Sequence, residues 1–313
     1  MDSKHDLISE SYQRRKKSVD NLFRRIFWTA GFVSAVFILL IIVFVVRKGI
    51  GPFLSGYPGG AYPLMDFLTG LQWRQDSAIY GVAFIGVNTI ISALGALLLS
   101  FPVSVLTALF IAKIAPKALS RIMTTIVEML AAIPSVVYGV FAAGVIVRWV
   151  DSLATATGLS TYGGNSLMAV SILLAIMVFP TMTSLAIVAI NAVPKELTEG
   201  SLALGATTTQ TNFRVVLTSA KSGIFAGLIL GLGRAFGEAT AVSMVAGNAM
   251  IGPTLNPFDT TRTLTSTMLA GLKETQGLDY DIRFSVGIVL MAVILLTNLG
   301  IHYVKDRIGR SMS

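Results

Sequence analysis

The sequence predicts an all-α protein, a polytopic transmembrane helical bundle of about six spans, and three observations carry this. Of its 313 residues 54% are hydrophobic and only 13% charged, and the mean hydropathy is +0.75, well outside the range of an ordinary globular domain. Several apolar runs approach the roughly 20 residues that a bilayer core demands. The basic residues stand in short clusters beside those runs, so most of the net charge of +8 reads as topology signal and not as a nucleic-acid-binding surface. The expected surroundings are therefore a lipid bilayer, with no nucleic-acid partner.

Residues 1–25 read as a cytoplasmic tail, in which Arg14, Arg15, Lys16, Lys17, Arg24 and Arg25 lead into an interfacial helix. About 25 polar residues precede the first apolar run and no small-residue cleavage site follows it, so a cleavable signal is not expected. Ile26–Val46 is the first span, and Arg47–Ser77 an outer loop with turns first and a short amphipathic piece second. Tyr80–Ile114 is too long for one straight span and contains Pro102, so Tyr80–Leu99 is taken as its membrane core. Ile122–Val147 is the third span, with Pro134 in its middle and Arg148, Trp149 and Asp151 closing it. Leu167–Ile190 is the fourth, kinked at Pro180, Ile224–Val245 the fifth, and Phe284–Tyr303 the sixth. Trp28, Trp73 and Trp149 fall near span ends, where interfacial anchors belong.

Six spans put both ends on one side. The inner segments of this arrangement hold 16 of the 24 Lys and Arg residues, the outer ones seven, and Arg234 alone lies within the membrane. That asymmetry places both termini in the cytoplasm of a cell-membrane protein.

The fifth span concentrates the chemistry. Gly223, Gly227 and Gly231 recur every fourth residue and line one helical face, which lets another backbone come close; Gly233 and Gly237 form a second such pair. GLGRAFG is not a nucleotide loop, because its spacing is wrong and no βαβ or Walker pattern accompanies it. Arg234 lies ten residues after Ile224, roughly 15 Å into a core about 30 Å thick. An arginine there costs about 2.5–3.5 kcal/mol on insertion scales and should face a polar cavity or a partner. Glu238, one turn on, is the expected partner, and the pair is either a structural ion pair or part of an anion pathway. Glu128 in the third span is open to the same two readings.

Before the fifth span comes Glu199-Gly200-Ser201, three residues including Ala203, then Gly205, nine residues, and Val215-x-Leu217. This resembles the EAA loop of binding-protein-dependent ABC transporter permeases, a cytoplasmic helix-turn-helix that docks the ATPase. Gly200 and Ser201 stand where alanines are usual, and Thr218 where proline is usual. EMLAAIPSVVYGVF (128–141) and GLGRAFGEATAV (231–242) are similar to segments of phosphate ABC transporter permeases, and the long tail, the Trp73–Gly81 region and the GEATAV ending resemble the longer, PstC-type member of that pair. The resemblance implies a type I ABC importer permease (MetI-like) fold, and it divides the chain. Residues 1–25 are the tail and 26–65 the first span with its outer loop. Residues 66–305 are the permease domain, with coupling loop 194–222, and 306–313 the second tail. It also implies a second permease subunit, two cytoplasmic ATP-binding subunits and an extracytoplasmic phosphate-binding protein as partners. Arg234 and Glu238 become the residues tied to phosphate passage.

The expected function is a non-catalytic, channel-forming subunit that passes inorganic phosphate. Sulfate, molybdate or phosphonate are alternative substrates, and an ion-coupled secondary transporter is the alternative from another class. A membrane-embedded hydrolase lacks the groups it would need. With no cysteine and only His5 and His302, neither a metal site nor a cofactor is expected.

Overall fold

The computed structural model describes residues 3–310; Met1, Asp2 and the last three residues of the 306–313 tail lie outside the described residues. Among the described residues six helices are long and apolar enough to cross a membrane: Arg15–Phe53, Ala83–Ile114, Ser135–Ala156, Leu167–Asn191, Thr208–Gly237 and Leu278–Tyr303. The span count agrees with the sequence reading, while several boundaries do not.

Helix α1 (Ser3–Ile50) is continuous, so the expected interfacial helix and the first span are one element. No proline and only Gly31 interrupts the run before Gly49, which leaves nothing to break it. It meets the bundle through its last turns, lying antiparallel to α13 (Leu278–Arg310). The Ser285 hydroxyl donates to the Gly49 carbonyl at 2.7 Å, Phe44 stands edge-on to Phe284, and Lys48 pairs with Asp281 at 3.1 Å. Tyr57 donates to the other oxygen of Asp281, and burial, then that hydrogen bond, push its phenol up to about 12.

The segment expected as an outer loop adds strands to its turns and its short amphipathic piece. It contains α2 (Leu64–Thr69), β1 (Trp73–Arg74) and β2 (Ile79–Tyr80), a minimal antiparallel hairpin within an otherwise helical chain. Trp73 is 2% exposed and packs edge-on against Tyr80, so it is a core residue of this cap and not an interfacial anchor. Tyr80 lies in the strand, and the second span begins only at α3 (Ala83–Leu109), which runs on through Pro102 and a π turn, Phe110–Ile114.

The third span is shifted. Pro134 does not kink a helix there but separates two: α4 (Lys117–Ala132) ends as Ile133 turns extended, and α5 (Ser135–Phe141) starts after the proline. Steric conflict between a proline ring and the preceding residue disfavours helical geometry at that residue, and proline suits a first turn, where its missing N–H costs nothing. With a π turn at Ala142–Ile146 and α6 (Val147–Ala156), α5 forms the crossing, and Arg148, Trp149 and Asp151 lie within it instead of closing it. In α4, Leu119, Ile122, Ile126 and Met129 form an exposed apolar stripe while Val127 is buried.

Helix α7 (Leu167–Asn191) is the central element and keeps Pro180 inside it. It runs parallel to α3, since Gly95 meets Ser171 and Ser104 donates to the Phe179 carbonyl. Against it, antiparallel, lies α10 (Leu217–Gly237). A Cβ at Gly223 would stand 2.5 Å from the Ala189 Cβ, one at Gly227 3.2 Å from the Leu185 Cβ, and one at Gly231 2.7 Å from the Met182 Cγ. The glycine stripe therefore seats α10 directly on α7, as small-residue faces do. Gly233 and Gly237 are not a second packing pair, because no atom lies within 4 Å of a Cβ at either. Second and fourth spans parallel, fourth and fifth antiparallel, first and sixth antiparallel: these directions are those of six alternating crossings.

Candidate functional site

The fifth span does not continue to Val245. Helix α10 stops at Gly237, Glu238 is extended (φ −78°, ψ 115°), and a short helix α11 (Thr240–Ser243) follows. Arg234 thus occupies the last turn of α10, where a cation complements the unsatisfied carbonyls of a helix C-terminus. Its Nη1 donates to the Thr181 Oγ1 at 3.0 Å. Thr181 lies 14 residues from the start of α7 and ten from its end, about 21 Å and about 15 Å along the axis. The guanidinium is therefore level with the middle of a span, as the sequence reading required, although its own helix ends there.

Arg234 and Glu238 are not an ion pair. Among the described residues the salt bridge found joins Lys48 to Asp281, while the Glu238 Oε1 accepts from the Ala241 N–H at 2.9 Å and caps α11. The i,i+4 pairing assumed an unbroken helix, and the break at Gly237 turns the carboxylate away. The Glu238 carbonyl in turn accepts from the Thr265 hydroxyl at 2.8 Å, which ties the break to α12 (Leu264–Leu269). Arg234 is left half-buried, beside a hydroxyl, with its flanking glycines Gly233 and Gly237 bare.

Tyr138 of α5 donates to the Leu130 carbonyl at the end of α4 at 2.9 Å. Glu128, on the same helix, is exposed and makes no ion pair among the described residues. Neither Thr181 nor Thr265 was singled out from the sequence. A threonine directly after Pro180, in the middle of an apolar span, was the available signal for the first.

Two buried arginines shape the end of the bundle that holds α12 and the start of α13. Arg262 donates to the Asn248 carbonyl at 3.0 Å and Arg283 to the Thr267 carbonyl at 2.6 Å. Burial first, and then the nearby Arg283, bring the Arg262 guanidinium down to about 10. Arg262 thus closes the loop before α12 on itself, and Arg283 ties the start of α13 to α12.

At the opposite end α8 (Lys195–Ala203) carries Glu199, Gly200 and Ala203 exposed. Gly205 has φ +85°, a left-handed conformation that costs a side-chain-bearing residue about 1–2 kcal/mol, and the chain turns there. Thr207 and Gln210 then form a reciprocal capping box on α9 (Thr208–Gln210). Ser201, one of the departures from the EAA pattern, meets the Thr211 hydroxyl at 2.9 Å and links the two arms of the turn. Leu217 packs into the apolar cluster formed by α3, α4, α7 and α10. Without the usual proline at Thr218 the chain needs no corner, and it passes through a π turn, Thr211–Val216, straight into α10. Leu204, at the tip, is 91% exposed.

Comparison with known proteins gives a consistent result. Residues 100–313 match the family described as binding-protein-dependent transport system inner membrane component. The chain is 35% identical over 300 residues to the probable ABC transporter permease protein YqgH of Bacillus subtilis, covering 94% of each chain. It is 30% identical to the phosphate transport system permease protein PstC of Haemophilus influenzae, over 93% of this chain and 96% of that one. The PstC of Pasteurella multocida is likewise 30% identical, over 78% and 82%. Among solved structures, a bacterial alginate ABC transporter in complex with an alginate-pentasaccharide-bound periplasmic protein aligns with a TM-score of 0.59 at 19% identity, over 90% of this chain and 95% of that one.

Proposed function

The chain belongs to the family of binding-protein-dependent transport system inner membrane components, and from that premise we propose that it is the PstC-type permease subunit of an ATP-driven phosphate importer. Membership sets aside the ion-coupled transporter and the hydrolase. The observation that carries the phosphate reading is Arg234, level with the middle of α7 and held by a hydroxyl instead of a carboxylate. A guanidinium stays charged and offers parallel N–H donors to two oxygens of a tetrahedral anion, which offsets part of that anion's desolvation cost. A carboxylate directly on Arg234 would compete with the anion, and Glu238 is instead occupied with α11.

In this reading the chain forms the translocation pathway with a second permease. Two ATPase subunits hydrolyse ATP and dock on loop 194–222 through the surface around Glu199, Gly200, Ser201, Ala203 and Gly205, with Leu204 at its tip; Leu217 anchors the loop to the bundle. An extracytoplasmic binding protein delivers the anion, and both termini face the cytoplasm. Residues 66–305 form the permease domain, and 26–65 a first span with its outer segment.

The PstC relatives support phosphate, while the Bacillus subtilis relative is named only as a permease, so sulfate, molybdate and phosphonate define the alternative. The test is ATP-dependent uptake of labelled phosphate by the complete complex in proteoliposomes, challenged with excess unlabelled phosphate, sulfate or molybdate. Competition by phosphate alone is expected. Competition by sulfate or molybdate at least as strong as that by phosphate would overturn the substrate assignment and leave the permease reading intact.

A further inference from the structure

We infer that Thr181 is a second ligand for the anion at Arg234 and the residue that aims its guanidinium. The inference rests on the anion-pathway reading of Arg234. Helical serines and threonines commonly return their hydroxyl to a carbonyl one turn back, and this chain does so repeatedly: Thr89 to Ile85, Ser171 to Leu167, Thr267 to Thr263 and Thr297 to Val293. Thr181 forms no such bond among the described residues. Its oxygen accepts from the Arg234 Nη1, and a hydroxyl that accepts one hydrogen bond still has its own proton to donate.

The register that creates this contact is fixed by backbone packing. Gly223 meets Ala189, Gly227 meets Leu185 and Gly231 meets Met182; one turn beyond Gly231, half-buried Arg234 meets Thr181. Beyond the contact the surface is bare, since a Cβ at Gly233 or Gly237 would have no atom within 4 Å. An oxyanion lodged there takes an N–H from the arginine's remaining donors and the O–H from Thr181. Valine has nearly the shape of threonine and can do neither.

The test uses the whole complex, with both permeases, the ATPase and the binding protein, in proteoliposomes. Rate of phosphate uptake is normalised to assembled complex, measured as copurified ATPase. A hydrogen bond to a charged group is worth about 1.5–3 kcal/mol, so Thr181→Val should lower uptake by about tenfold or more. Thr181→Ser, which keeps the hydroxyl, should stay within about twofold of wild type, and Thr181→Val should add less than about twofold to the defect of Arg234→Lys. A purely structural threonine would instead reduce the amount of assembled complex and would not show that dependence on Arg234. If Thr181→Val does not assemble, Thr181→Cys, close in volume and without the hydroxyl, is expected to show the same loss. Uptake by Thr181→Val within about twofold of wild type, with Arg234→Gln inactive, would overturn the role of Thr181 alone. Near-normal uptake by Arg234→Gln would overturn both readings.

Discussion

Replacing Gly223 by alanine puts a Cβ 2.5 Å from the Cβ of Ala189. Carbon atoms of this kind settle near 3.5–4.0 Å, so the two helices must part by about 1.0–1.5 Å at that point. The Ala189 Cβ is bonded directly to the backbone of α7, and no rotamer change relieves the clash. Overpacking of this sort costs about 1–3 kcal/mol. Alanine also gains about 0.8–1.0 kcal/mol of helix propensity over glycine, which partly masks the cost. Gly233→Ala, on the same helix, makes the same propensity gain with no atom in its way, so the difference between the two variants isolates the packing term. Thermal unfolding of both purified variants in one detergent is the assay. Gly223→Ala should melt below Gly233→Ala by the equivalent of about 1–3 kcal/mol. Equal melting temperatures would refute the seating of α10 on α7 through its glycine face, and with it the register that brings Arg234 to Thr181.

Further outcomes follow from the same geometry. Gly205→Val forces a β-branched residue to φ +85°, at a cost of at least about 1–2 kcal/mol; ATPase copurification should fall while membrane insertion is unchanged. Glu238→Gln keeps an oxygen that can accept from the Ala241 N–H and should retain most uptake, whereas Glu238→Ala loses that bond, about 0.5–1.5 kcal/mol, and should lower it, read in the proteoliposome assay. Cysteines placed at Thr209 and Gly60 should label from opposite faces, Thr209 from inside, when a membrane-impermeant thiol reagent is added to intact and to opened cells.

Length and hydropathy made the spans legible, because about 20 apolar residues have few other uses. The glycines at 223, 227 and 231 announced a packing face through their spacing alone, and Gly205 announced a turn. What could not be read was the behaviour of individual prolines. Pro102 and Pro180 sit inside helices while Pro134 ends one, and which outcome holds depends on neighbouring elements that no local pattern encodes. Gly233 and Gly237 repeat the spacing of the packing stripe yet face open space, since spacing fixes a shared face and not what that face meets. The fifth span ends at Gly237, and the next residue is the non-glycine Glu238, held extended by its bond to the Ala241 N–H and the bond from Thr265. That tertiary support hid the break, and so an ion pair was expected where the structure has two separate jobs: Arg234 on Thr181, and Glu238 on Ala241.

In the proposed pathway an oxyanion passes Arg234 on its way through the bundle. ATP-driven uptake of labelled phosphate into proteoliposomes, by wild-type, Arg234→Lys and Arg234→Gln complexes present in equal amounts, tests it most directly. Removal of the charge and both parallel donors should abolish uptake in Arg234→Gln, and lysine, which keeps the charge without the planar fork, should leave it impaired. Uptake by assembled Arg234→Gln at close to the wild-type rate would contradict the account and leave Arg234 as a structural partner for the end of α10.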